Sequence, residues 1–354
     1  MHILGRRGNY RSVDYLDGKL FLIDQRLLPG KFVVRKYTDY ESVVQAIRDM
    51  VVRGGPAIGI AGGFALALAA RRTRGRTLGD FIRGLRKARD TLLSARPTAV
   101  DLANTTRRVL AAAQQAKDVG EAREAVEESA RTACEQLVSA CKRIGELGAR
   151  LIPENARILT HCNAGALATV DCGTALAPIR EAARRGRKPF VFVSETRPRL
   201  QGALTSWELL NERIGHVVLV DSASGFLMQK GEIDLCIVGA DRICVRDGSV
   251  ANKIGTYEKA VLAKENGIPF YVAAPTSTLD FSAVAGGIPI EERDASEVLS
   301  LHGKNLFPGA RALNPSFDVT PARYITAIIT EKGIFKAGEL ARPGALRRVQ
   351  LSQK

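Results

Sequence analysis

The spacing of apolar residues changes character along the chain. Residues 19 to 38, KLFLIDQRLLPGKFVVRKYT, predict two short strands joined at the Pro29-Gly30 turn. From Tyr40 the period becomes helical, with Val43, Val44, Ile47, Met50 and Val51 on one face. After the RGGP interruption, Pro56 stands at a first-turn position and opens the most apolar stretch, PAIGIAGGFALALAA. That stretch falls short of the ~20 residues a membrane crossing needs and is closed by Arg71 and Arg72, so it predicts a buried helix. Further helices are expected at about 78 to 94, 99 to 117 and 121 to 150. Residues 1–150 thus read as an N-terminal domain of small strands and mainly helices.

After Pro153, short β-rich runs alternate with helical segments. The strand runs are ARILTH, PFVFVSE, HVVLVD, DLCIVGAD and PFYVAAP. This alternation predicts a parallel, doubly wound α/β sheet over residues 151–354. Ligands in such sheets sit beyond the carboxyl ends of the strands, where Cys162 and Asp241 fall.

With 354 residues, 45% of them hydrophobic, the chain is long enough for two domains with substantial cores. Its net charge of +15 suits anionic metabolites or nucleic acid. The basic clusters RRTRGR (71–76) and RRGRK (184–188) contain no aromatic residue for base stacking, so nucleic acid is not the expected partner. Cysteines at 134, 141, 162, 172, 236 and 244 make no CxxC pair, and four histidines are scattered, so no zinc site is expected. The N-terminus lacks the apolar run of a signal peptide, which predicts a cytoplasmic protein with free thiols and no membrane association.

Four stretches, together with the turn at Cys162, have the chemistry of a site. In RGGPAIG, Arg53 precedes Gly54, Gly55 and a helix start, which together make an anion pocket or a plain turn. In SARPTAVDL, Arg96 precedes a helix beginning at Pro97 and Thr98 and adds either a second cation or a solvated side chain. In ETRPRLQGA, Glu195, Arg197, Arg199 and Gln201 crowd a strand end, as an internal salt-bridge network or as ligands for a polar substrate. In GADRICVRDGSVANKIGTY, Asp241 ends a strand and Asn252 with Lys253 is read as opening a helix. Asp241 has a helix cap or a partnership with Arg242 as its structural alternative.

Cys162 lies in THCNAGALAT, ahead of a glycine and a helix-forming run. A thiol of pKa ~8.5 is only a few per cent ionised at neutral pH, so thiolate chemistry there needs about 2 kcal/mol of help. A helix start supplies ~0.3 to 1 kcal/mol, so a cation such as Lys253 must contribute. Neighbouring His161 and Asn163 serve to hold the loop. A cysteine–histidine protease is disfavoured, since His216 begins a strand and His302 sits in a loop.

Taken in order, RGGPAIG, SARPTAV, THCNAGALAT, ETRPRLQGA, VGADRI and ANKIGTY, with IPIEERD and FDVTPARYITAIITEKGI, closely resemble the methylthioribose-1-phosphate isomerase family. The wider superfamily holds ribose-1,5-bisphosphate isomerase and the α, β and δ regulatory subunits of the initiation-factor exchange complex. The resemblance implies a Rossmann-like C-terminal domain, a homodimer, no metal or organic cofactor, and an aldose–ketose isomerase of methionine salvage. It also implies Cys162 and Asp241 as the catalytic pair. Arg53, Gly54, Gly55, Arg96, Gln201, Asn252 and Lys253 would hold the sugar phosphate. Two positions depart from the family wording, Gly55 where RGAP is usual and Ala223 where methionine is. The second leaves 5-deoxyribose 1-phosphate or another 5-modified sugar open as substrate, the basic net charge leaves ribose 1,5-bisphosphate open, and a non-catalytic regulatory subunit is the reading of a different class.

Overall fold

In the computed structural model, which describes residues 9–96, 99–301 and 303–340, the strands Val13–Leu16 (β1), Lys19–Ile23 (β2) and Val34–Tyr37 (β3) form an antiparallel sheet. Five helices follow: Tyr40–Arg48 (α1), Gly55–Arg72 (α2), Leu78–Ala95 (α3), Val100–Gln114 (α4) and Val119–Gly148 (α5). The first and third are started by side-chain caps, Asp39 accepting from Ser42 N–H at 2.8 Å and Thr77 from Asp80 N–H at 3.1 Å. As its composition predicts, α2 is buried on every face from Ala57 to Ala70. Its glycines let α4 approach closely, because a Cβ on Gly59 would lie 2.8 Å from the Asp101 carbonyl and one on Gly62 2.2 Å from Leu102. The expected helix start at Pro97 and Thr98 lies outside the described residues, as do His302 and residues 341–354.

The chain divides into two compact units, and the division differs from a single cut after residue 150. Of the described residues, the first comprises those through Lys142 together with Gly165–Gly173, and the second comprises Arg143–Ala164 and those from Thr174 onward. The boundary falls inside α5, where unbroken helical periodicity gives no sequence sign of it. Val13, Leu20, Ile47, Phe64, Phe81 and Val170 belong to the core of the first unit.

The second unit is built on seven strands in the order β16-β15-β10-β7-β4-β5-β6. They are Arg157–Thr160 (β4), Phe190–Ser194 (β5), His216–Leu219 (β6), Leu235–Val238 (β7), Phe270–Ala273 (β10), Ala327–Thr330 (β15) and Gly333–Phe335 (β16). All pair in parallel except β16, so the five expected strands are present as a parallel array. Successive residues feed opposite faces: Leu159, Cys236 and Val238 pack in one apolar cluster and Ile158, Leu235 and Ile237 in another. Helices Leu176–Arg184 (α6) and Gln201–Asn211 (α7) cover the second cluster, and Ala223–Gln229 (α8) and Thr256–Glu265 (α9) the first. A sheet covered on both faces explains the nearly continuous apolar strand sequences.

A smaller sheet joins Arg242–Cys244 (β8), Val250–Lys253 (β9), Leu279–Asp280 (β11) and Phe317–Thr320 (β14) in the order β11-β8-β9-β14. A two-residue ladder pairs Ser300–Leu301 (β12) with Lys304–Asn305 (β13). Asn252 and Lys253 therefore end a strand; they do not open a helix as the sequence reading held. Pairing with Asp318 and Phe317 of β14 sets their conformation, while Val250 and Ala251 pair with β8 as well, and α9 begins only after Gly255 at φ 95°.

Candidate active site

Strands β4 and β7 lie side by side, Ile158 opposite Leu235 and Leu159 opposite Cys236. From β4 the sheet grows through β5 and β6 on one side and through β7, β10 and β15 on the other. In open α/β sheets the carboxyl ends of the strands at such a reversal are where ligands bind. Cys162 follows β4 and Asp241 follows β7, so the two residues singled out from sequence leave the two strands at the reversal.

Cys162 has a left-handed backbone, φ 64°. Its N–H donates to Thr196 Oγ1 at 2.9 Å and its carbonyl accepts from Thr205 Oγ1 at 2.8 Å. Thr196 (φ 62°) and Leu200 (φ 54°) are left-handed as well. This conformation costs an L-residue roughly 1–2 kcal/mol, and it is least tolerated by β-branched side chains such as threonine. Strain of this kind persists where surrounding bonds over-determine the backbone. Asp221 supplies several of those bonds, accepting from Thr196 N–H (2.9 Å), Arg197 N–H (2.8 Å) and Ser194 Oγ (2.6 Å). Burial works against the Asp221 charge, yet these donors hold its carboxyl below the usual carboxylate range.

The expected α-helix directly after Cys162 is absent. A single 3-10 turn, Ala166–Ala168, follows Gly165, and the next α-helix starts at Leu176. The Gly165–Gly173 segment belongs to the first unit, which the helical composition of ALAT does not reveal. Electrostatic help for the thiol must therefore come from side chains.

Lys253 is placed to give it. Only 6% exposed, its ammonium donates to the Ser316 carbonyl at 2.7 Å and lies 4.4 Å over the Phe317 ring. Burial lowers its pKa from the ordinary lysine value, and Arg293 and Arg199 push the same way, while the charges of Cys162 and Asp241 oppose the fall. Cys162, Asp241 and Lys253 thus share one electrostatic neighbourhood. Asn252 is buried beside them and donates to Thr256 Oγ1 at 3.0 Å. Gln201 opens α7, with a buried amide oxygen that has no hydrogen-bond partner among the described residues. The next residue must be glycine, since a Cβ on Gly202 would sit 2.2 Å from the Ser194 carbonyl.

His161 and Asn163 hold the turn. His161 Nε2 donates to the Ile254 carbonyl at 2.8 Å, which leaves Nδ1 unprotonated toward Asp221 at 3.9 Å. Burial first, and then the Lys259 charge, push the imidazole down to about 3, so it is neutral. Lys259 itself is 1% exposed and its ammonium has no hydrogen-bond partner among the described residues. Asn163 donates to Glu208 at 2.9 Å, and Arg180 joins Glu208 to Glu212, each at 2.5 Å.

The arginines of ETRPRLQGA largely form an internal network. Arg199 Nε binds Glu297 at 2.7 Å and Arg197 donates to the Val298 carbonyl at 3.0 Å. Arg242 pairs with Asp280 at 3.2 Å. Thr196, Thr205, Asp221, Lys259 and Glu297 escaped the sequence reading. Thr196 and Asp221 stood in quoted stretches, ETRPRLQGA and HVVLVD, without being singled out, and the others reach the turn through tertiary contacts.

Arg53, Gly54, Gly55 and Arg96 belong to the first unit. Gly54, at φ 89°, precedes α2, and a Cβ there would come within 2.4 Å of the Ala168 carbonyl. A Cβ on Gly55 would lie 2.7 Å from an Asp101 carboxylate oxygen. Arg96 terminates α3, and α4, just beyond it, packs its Asp101 end against the start of α2. Among the described residues no three His, Cys, Asp or Glu side chains gather as a metal site, and no helix is long and apolar enough to cross a membrane.

The model of the initiation factor 2 subunit family matches residues 51–337. A methylthioribose-1-phosphate isomerase of Geobacter sulfurreducens is 50% identical over 331 residues, 92% of this chain and 95% of that protein. The crystal structure of 5-methylthioribose 1-phosphate isomerase from Pyrococcus horikoshii superposes with a TM-score of 0.89 at 41% identity, covering 97% and 96% of the two chains. That of translation initiation factor eIF-2B, subunit delta, from A. fulgidus gives 0.85 at 42% identity, covering 96% and 100%. With the family model spanning most of its length and relatives this similar across nearly all of it, the chain belongs to the initiation factor 2 subunit family.

Proposed function

We propose that the protein is an aldose–ketose isomerase converting 5-methylthioribose 1-phosphate into 5-methylthioribulose 1-phosphate. The carrying observation is that Cys162 and Asp241 leave adjacent strands at the reversal of the sheet, with buried Lys253 electrostatically close to both. The relatives named for this reaction support the same reading.

The anomeric carbon of the substrate is blocked by phosphate, so the ring must open before the carbonyl can move. Asp241 donates a proton to the ring oxygen as the C1–O bond breaks. Hydrogen then moves from C2 to C1. In one route Cys162 removes the C2 proton, a phosphoenolate forms, and C1 is reprotonated as the C2 hydroxyl becomes the ketone. In the other, C2 delivers hydride to C1 directly while its hydroxyl loses a proton. As the family resemblance implies, Arg53, Gly54, Gly55, Arg96, Gln201, Asn252 and Lys253 hold the sugar phosphate through cationic and backbone N–H donors. The buried acceptor on Gln201 suits a sugar hydroxyl.

The protein acts as a homodimer in a reducing cytoplasm. The edge strand β6 leaves Val217 and Val218 exposed, at 40% and 47%, which supports a second subunit against this edge. Ribose 1,5-bisphosphate is the weaker substrate, because Arg199 and Arg293 near Lys253 are paired with Glu297 and Glu291.

Phosphorus and proton NMR of 5-methylthioribose 1-phosphate with wild type, Cys162→Ser and Asp241→Asn tests the proposal. A ketose 1-phosphate formed by wild type and not by the variants is expected. Inactive, well-folded wild type overturns it, with 5-deoxyribose 1-phosphate and ribose 1,5-bisphosphate as further arms. Inactivity on all three favours a regulatory subunit.

A further inference from the structure

We propose that Thr196 and Thr205 are positioning residues that clamp Cys162 from both sides in its left-handed backbone and so set the aim of its thiol. The inference rests on Cys162 being the reacting thiol, as proposed above. Both threonines are fully buried, and each hydroxyl has one proton to donate and lone pairs to accept with. Thr196 Oγ1 has the Ser194 carbonyl at 3.0 Å and the unprotonated His161 Nδ1 at 3.4 Å as acceptors for its proton, and its lone pair takes the Cys162 N–H. Thr205 Oγ1 donates to the Cys162 carbonyl and accepts from Asn163 Nδ2 at 3.2 Å.

A second buried helical threonine shows that this arrangement is particular to the turn. Thr106 in α4 donates to the Leu102 carbonyl of its own helix at 2.6 Å, the usual resting place for such a hydroxyl. Thr205 in α7 instead sends its proton out of the helix to a strained peptide. On the other side, Thr196 is itself pinned by Asp221 through its N–H. The peptide groups on both flanks of the Cys162 Cα are therefore fixed, so the Cβ cannot swing toward the β region without breaking a buried hydrogen bond.

The test uses Thr196→Val, Thr205→Val and Thr205→Ser of the full chain, each also combined with Cys162→Gly, which removes the left-handed strain. Iodoacetamide alkylation of Cys162 is followed against pH by mass spectrometry, and kcat and KM are measured with 5-methylthioribose 1-phosphate. The valine variants should lose about 10- to 100-fold in kcat with little change in KM, and shift the alkylation rate profile. Thr205→Ser should restore both. Denaturation midpoints should be non-additive, each valine costing less beside Cys162→Gly than beside Cys162. A valine variant that folds only with Cys162→Gly supports the clamp equally. Wild-type alkylation and kcat in the valine variants, additive midpoints, or misfolding that Cys162→Gly does not cure would overturn it. If wild type has no isomerase activity, the proposed function fails and the alkylation and stability results still decide the clamp.

Discussion

Asp318 accepts the backbone N–H of Gly255 at 2.6 Å, and its other oxygen takes that of Tyr257 at 3.1 Å. A carboxylate on β14 thereby caps α9, whose own N-cap is a glycine with no side chain to offer. The two donors favour the charged form, but burial outweighs them and pushes the Asp318 carboxyl up to about 6.

A folded-state pKa raised above the unfolded value means that the folded form holds its proton longer. The resulting stability is complete below the ordinary aspartate range and is lost as pH rises through about 6. Asp318→Asn removes this dependence. Urea titrations at several pH values should show the variant gaining on wild type as pH rises from 4 to 7. A constant difference would refute the assignment.

Lys253 combines a charge-assisted hydrogen bond with a cation–π contact in a buried position. Lys253→Met should raise KM for the sugar phosphate by about 10- to 100-fold, the worth of one hydrogen bond to a charged group. Lys253→Arg should not rescue it, since a planar fork cannot occupy the place of a compact ammonium. Steady-state kinetics with circular dichroism as a folding control checks both.

Arg180 is the shared partner of Glu208 and Glu212, and Glu208 is wholly shut from water. Arg180→Met strands a buried carboxylate and should cost about 3–5 kcal/mol. Thermal and urea unfolding read that cost, and adding Glu208→Gln should recover part of it.

Lys259 presents the opposite case, a buried ammonium without a hydrogen-bond acceptor among the described residues. Its charge contributes to the depression of His161. Lys259→Met should therefore raise the His161 pKa, seen in the imidazole proton resonances. Unchanged titration of His161 would refute a contribution from the Lys259 charge.

Much of this arrangement was legible in the sequence because its signals are local. The alternation after Pro153 specifies the parallel strands, and a strand-end position singles out Cys162 and Asp241 without reference to any partner. Asn252 and Lys253 were misplaced because ANKIGTY ends in true helix, while these two residues are held in the preceding strand by pairing with β14, more than sixty residues later. Asp221, Thr205 and Glu297 were invisible for the same reason. Each is an ordinary polar residue until the fold sets it against the turns at Cys162 and Arg199.

Between Ala164 and Thr174 the chain leaves one unit, contributes nine residues to the other, and returns. Neither unit is thus a continuous stretch of sequence. A gene fragment ending at Lys142 would omit Val170 from its own core and the carbonyl that receives the Ser12 N–H. The two halves cannot be recombined as cassettes. The nine-residue excursion that begins three residues after Cys162 makes the core of one unit depend on chain that runs through the other.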